Sequence, residues 1–136
     1  MIIGMNNFTF NTTSGIRFGS GMSKTCVEEI SKKLGGNILF ITDKDLMSLN
    51  LTKPMLSELN KYSSIVEIFQ DVEADPSIKT LLNSIEVGKK INATGVIGFG
   101  GGSSMDVAKL TSLILGSNED IEEVWGVSNA KGPRLP

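Results

Sequence analysis

The spacing of apolar residues changes several times along the chain, and each change marks an element. From Ser20 onward, Met22, Cys26, Val27, Ile30 and Leu34 recur at intervals of three and four, as one face of a helix does, and Gly35 and Gly36 then supply a stop. Residues 37–42, NILFIT, run apolar without alternation, the pattern of a strand covered on both faces. A second helix is predicted from near Thr52 to about Tyr62, with Pro54 in its first turn and Leu56, Leu59 and Tyr62 facing inward. Residues 65–69 read as the next strand, ended by Asp71 and the Asp75–Pro76 turn. Over 77–92 the positions of Ile78, Leu81, Leu82, Ile85 and Ile91 fit an amphipathic helix. A third buried strand over 95–99, a glycine loop and a helix over 103–115 follow, then a short helix over 118–125 and a loop rich in Gly and Pro. Ahead of all these, two short apolar runs within 8–18, separated by turn residues, predict a hairpin-like pair of strands.

Alternation of strand and helix at this spacing predicts an α/β fold, a Rossmann-like parallel sheet flanked by helices, with residues 1–136 as a single domain. Ligands of such sheets sit beyond the carboxyl ends of the strands. Three places qualify: residues 42–45, 70–75 and 99–104.

Composition removes several classes of function. A chain of 136 residues with 40% apolar and 21% charged residues is an ordinary globular domain, and a net charge of −2 leaves no electrostatic footprint for nucleic acid or an anionic membrane. No apolar run approaches the length of a bilayer span, and the N-terminus lacks the pattern of a secretion signal. Cys26, the lone cysteine, cannot form an internal disulfide, which fits a cytoplasmic setting and a packing role on a helix face. The chain has no histidine, the side chain that most often carries protons near neutrality and most often binds metals. Its chemistry therefore avoids histidine-borne proton transfer, or is completed by residues outside these 136.

The strongest local signal is GFGGGSSMDVAK, residues 98–109. Glycines between a buried strand and a helix leave backbone N–H groups uncovered at the positive end of the helix dipole. A phosphate fits such a place, with Ser103 as part of the cradle. A purely structural turn is the other reading, since the run is neither the dinucleotide fingerprint nor a P-loop. Asp106 could reach back to cap the helix or face the cleft, and Lys109 could pair with it. Asp43, after the first buried strand, could accept hydrogen bonds from an adenosine ribose or cap a turn.

GGGSSMDVAK resembles the GGGSxxDxAK signature of the iron-containing alcohol dehydrogenases. RFGSG at 17–21, NILFITDKDL at 37–46, FQDVEADP at 69–76 and KGPRLP at 131–136 are similar to further segments of that family, in the same order. The resemblance implies an oxidoreductase that moves a hydride between NAD (or NADP) and a small alcohol or aldehyde substrate. It implies cofactor binding by Asp43, Asp75, Gly101, Gly102, Ser103 and Asp106, with Asp75 standing where the family often has asparagine. Iron (Fe2+) is expected only in a C-terminal helical domain that the chain does not contain, so these residues alone should be inactive. A homodimer is the assembly the family suggests. Two alternatives stand beside this reading: a fragment of a zinc enzyme like glycerol dehydrogenase, and a stand-alone nucleotide-binding or regulatory module.

Overall fold

A computed structural model describes residues 12–136 except Ser14 and Val127. Three parallel strands, β1 (Asn37–Ile41), β2 (Ile65–Phe69) and β3 (Gly95–Gly98), form a sheet in the order β2-β1-β3. Among the described residues six helices accompany them: α1 (Met22–Thr25), α2 (Val27–Leu34), α3 (Lys44–Ser48), α4 (Lys53–Tyr62), α5 (Ile78–Lys90) and α6 (Gly102–Ser117). The expected α/β architecture, a parallel sheet between helical layers, is the one observed.

β1 organises both layers because successive side chains of a strand point to opposite faces. Ile38 and Phe40 pack with Val27, Leu34, Met55 and Leu59 from α2 and α4. Leu39 and Ile41 pack on the other side with Leu81 and Ile85 of α5 and with Val107, Leu113 and Ile114 of α6. All four β1 side chains are fully enclosed, and each such burial stabilises by about 1.5–3 kcal/mol. The registers pair Ile38 with Val66 on one edge and with Gly95 on the other. β3 is only partly covered, contrary to the buried strand expected, because it lies at the edge of the described sheet.

Several helix faces are rotated from the predicted stripes. The helix is interrupted at Cys26, between α1 and α2, and α2 buries Val27, Ser31 and Leu34 while Cys26 stays half-exposed. α4 buries Met55 and Leu59 and leaves Tyr62 exposed. On α5, Leu81, Ser84, Ile85 and Gly88 face inward, whereas Ile78 and Leu82 face out. The reason is the closeness of α6: Ser84 and Thr111 share a buried hydrogen bond of 2.6 Å. A Cβ on Gly88 would come within 2.5 Å of Leu115. Small residues allow the two helices to approach, so they take the inner face.

The predicted helix over 118–125 is a turn instead. Left-handed Asn118 ends α6, and the Asp120 side chain accepts the Glu122 N–H at 2.9 Å, closing the chain on itself. Of the expected N-terminal hairpin, the first run lies outside the described residues, and 16–18 forms no strand.

Gly95 tests how tightly α2 meets β3. A Cβ there would stand 2.6 Å from the Leu34 carbonyl oxygen and 2.7 Å from the Leu34 Cβ, where only backbone movement relieves the clash. Gly95→Ala should therefore cost about 1–3 kcal/mol in urea unfolding. An unchanged midpoint would mean that this packing is looser than the geometry says.

Candidate functional site

The carboxyl ends of the three strands open into one cavity of about 500 Å³, within the range of small-molecule and cofactor sites. Three short segments wall it. Asp43, Lys44 and Asp45 come from the start of α3, residues 70–74 from the loop after β2, and Gly101, Gly102, Ser103 and Ser104 from the start of α6. Backbone bonds at the strand ends hold these segments together. The Thr42 N–H donates to the Phe69 carbonyl at 2.9 Å, the Phe99 N–H donates to the Ile41 carbonyl at 2.8 Å, and Asp43 bridges antiparallel to Asp71.

The glycines divide the work of the loop. A Cβ on Gly98 would lie 2.8 Å from the Ala108 Cβ, so this glycine lets α6 pack against β3. Gly100 makes the turn, with a φ of 144° that disfavours other residues. Gly101 and Gly102 differ: a Cβ on either would meet no atom within 4 Å. Their lack of side chains relieves no internal clash and leaves the mouth of the cavity open.

Gly101 is the N-cap of α6, and its side chain can offer nothing to the helix. The first helical bond runs from the Met105 N–H to the Gly101 carbonyl at 3.1 Å. The amides of Gly102, Ser103 and Ser104 precede it and lack intrahelical acceptors by geometry. With about half a positive charge at that end of a 16-residue helix, an anion is the fitting ligand.

Asp43 caps α3, its Oδ1 accepting the Leu46 N–H at 2.9 Å. Oδ2 makes no hydrogen bond among the described residues and remains available at the cavity wall. The sequence pattern did not reveal α3, a helix of five residues, because so short a segment shows no period.

Asp43, Gly101, Gly102 and Ser103 thus come together, whereas Asp75 and Asp106 do not line this cavity. Asp75 sits at the bend before Pro76 with a left-handed φ of 51°, against the extended backbone that a following proline favours. Asp106 pairs with Lys109 at 3.2 Å and borders a neighbouring apolar groove between α5 and α6. It does not cap α6, because the helix starts at Gly102 rather than Ser103 and its third position is Ser104.

The interactions of three cavity residues were not anticipated. Lys44 and Asp71 form an ion pair of 2.7 Å at its wall. The Glu73 carboxylate accepts the Thr80 hydroxyl at 2.6 and 2.7 Å and the Ser77 N–H at 3.0 Å, which clamps the loop after β2 to the start of α5. These bonds, the Thr80 hydroxyl foremost and the Ser77 amide next, hold its pKa down to about 2. The clamp spans four and seven residues, and only the tertiary turn brings its members together. Among the described residues no group of three or more His, Cys, Asp and Glu is placed to hold a metal ion, and no helix is long and apolar enough to cross a membrane.

The family described as iron-containing alcohol dehydrogenase matches residues 13–136. The chain is 26% identical over 129 residues to a sulfoacetaldehyde reductase of Bilophila wadsworthia, covering 95% of this chain and 33% of that protein. It is 27% identical to an NAD-dependent methanol dehydrogenase of Bacillus methanolicus, covering 97% of this chain and 34% of that protein. The solved structure of an alcohol dehydrogenase from Oenococcus oeni superposes with a TM-score of 0.85 at 25% identity, over 96% of this chain and 34% of the other. The chain therefore spans about a third of the length of these relatives.

The Glu73 clamp makes the stability of the cavity wall dependent on pH. Its ordinary pKa is 4.5 and its folded value about 2, so its contribution is complete above 4.5 and fades as pH falls toward 2. Glu73→Gln should lower the urea midpoint at neutral pH and flatten the loss of stability between those two values. Parallel profiles for the variant and the parent across that range would exclude the clamp.

Proposed function

The chain belongs to the iron-containing alcohol dehydrogenase family, and we propose that residues 1–136 serve as its dinucleotide-binding domain, with NAD as the cofactor. One observation carries the reading: the open amide end of α6 and the free oxygen of Asp43 border the same cavity. The residues present fit the cofactor. Gly102, Ser103 and Ser104 offer unsatisfied amides to a pyrophosphate, and Gly101 and Gly102 leave room for it. Asp43 Oδ2 is positioned to accept from ribose hydroxyls while Oδ1 keeps its capping bond. NAD supplies the hydride acceptor when bound.

The task of these residues is to bind and orient. They would hold the adenosine ribose at the N-cap of α3 and the central pyrophosphate at the start of α6, while Glu73 keeps the intervening wall in place. In the whole protein the substrate would be a small alcohol or its aldehyde, the classes that the names of a methanol dehydrogenase and a sulfoacetaldehyde reductase among the relatives carry. The residues of this chain do not fit iron, because there is no histidine in it and no described cluster could hold a metal, so no step is assigned to iron here. Asp75 and Asp106 lie outside this cavity, Asp106 on the neighbouring groove, and cofactor binding does not depend on them.

Gly102→Val tests the pyrophosphate end. A Cβ there meets nothing within 4 Å beyond its own helix, so thermal melting should stay within about 0.5 kcal/mol of the parent. NAD affinity in the full-length protein should fall by about tenfold or more, measured by titration. A variant that binds NAD as tightly as the parent would reduce the loop to a packing turn.

Asp43 needs a variant that separates charge from cap. Asp43→Asn keeps an oxygen for the Leu46 N–H and should shift preference toward NADP by about tenfold, or about 1.4 kcal/mol. Asp43→Ala should in addition lose about 1 kcal/mol of stability from the missing cap. An unchanged NADP/NAD ratio in the asparagine variant would remove Asp43 from the ribose.

A further inference from the structure

Among the described residues lining the cavity Lys44 is the one cation, and it follows Asp43 directly. A lysine at that place would ordinarily weaken the preference that Asp43 sets, since an ammonium group on a flexible stem is a ready partner for a phosphate. The structure occupies it. Its Nζ lies 2.7 Å from Asp71 Oδ1, and that hydrogen bond, reinforced by the opposite charge, raises the lysine pKa. Asp71 is held in place by its own backbone, because the antiparallel bridge sets it across from Asp43. Asp45 and Glu73 also line the cavity, but Glu73 is committed to Thr80 and Ser77, and Asp45 makes no ion pair among the described residues.

We infer that Asp71 is a specificity-determining residue that acts through Lys44, tethering and neutralising it so that a 2′-phosphate beside Asp43 finds no cation. The inference rests on the dinucleotide reading of the cavity and adds to it a residue on the loop after β2. Asp71 is a positioning residue in this role and touches no reacting atom. Both partners are well exposed, at 70% and 61%, so the tether is modest and weakened by salt. Its removal should change discrimination by a small multiple.

The experiment titrates the full-length protein with NAD and with NADP at low salt and compares the ratio of affinities. Asp71→Asn should raise the NADP/NAD affinity ratio by about fivefold, because Lys44 is released. Lys44→Met should lower the ratio, because Asp71 then stands as an unpaired carboxylate. Lys44→Met combined with Asp71→Asn should return it to near the parent value. A merely structural role for Asp71 would weaken both cofactors together and leave the ratio unmoved, and that result would overturn the inference. An equal rise from Asp71→Asn with and without Lys44 would overturn it too, by showing that Asp71 acts through its own charge. Absence of saturable NAD binding by the parent would instead bring down the dinucleotide reading, and this inference with it.

Discussion

The cavity depends on β1, a strand enclosed on both faces and hydrogen-bonded along both edges. Its four interior side chains reach into two separate cores, so neither helical layer can shift without disturbing it. At its carboxyl end the same strand binds its neighbours once more, Thr42 to the Phe69 carbonyl and the Ile41 carbonyl to the Phe99 amide. The three walls of the cavity are the continuations of three strands that cannot slide past one another. A one-residue slip in register would send every β1 side chain to the opposite layer. Beside that constraint, the exposed ion pairs of the surface are worth little to the fold. They can still matter to a ligand, because they lie where a ligand would be.

The glycine loop reaches the logic of a phosphate cradle by a spacing of its own. The dinucleotide fingerprint assigns one glycine to the turn, one to the approach of the pyrophosphate and one to helix–strand packing. Here Gly98 permits packing, Gly100 makes the turn, and Gly101 with Gly102 leaves the approach open. The order of tasks differs because α6 crosses β3 near Ala108, which brings the packing contact back to the strand itself. The loop lacks the spacing of the fingerprint, and its glycines differ in what a Cβ would strike at each position.

The parts legible in the sequence were those governed by long-range burial. The unbroken run NILFIT identified a strand with two covered faces, and the rule that ligands sit beyond strand ends pointed to the three segments that wall the cavity. What stayed hidden was set by close approach or by local bonds. The inner face of α5 went to Ser84 and Gly88 because α6 comes near, and apolar spacing cannot register the value of a missing side chain. Helix α3 is shorter than two turns, so it carries no period. The Glu73 clamp and the Lys44–Asp71 pair join residues whose proximity only the folded loop creates.

Asp43 illustrates why sequence reading framed a false choice. A carboxylate after a strand can cap a turn or bind a ribose, and the residues alone offer no way to choose. The geometry removes the conflict. Capping α3 takes one oxygen, and a carboxylate has two, with about four lone-pair positions between them. The bond to the Leu46 amide also fixes the rotamer, so the second oxygen is held still before any ligand arrives, which lowers the entropy that binding would otherwise cost. The structural duty therefore prepares the binding duty. The same economy recurs at Gly101, which ends the turn and, by offering α6 no capping side chain, keeps the helix's first amides free for an anion. At the mouth of a parallel sheet, the demands of helix initiation and of ligand recognition fall on the same few backbone groups, and a residue that serves the first without exhausting its hydrogen-bonding capacity is well placed to serve the second.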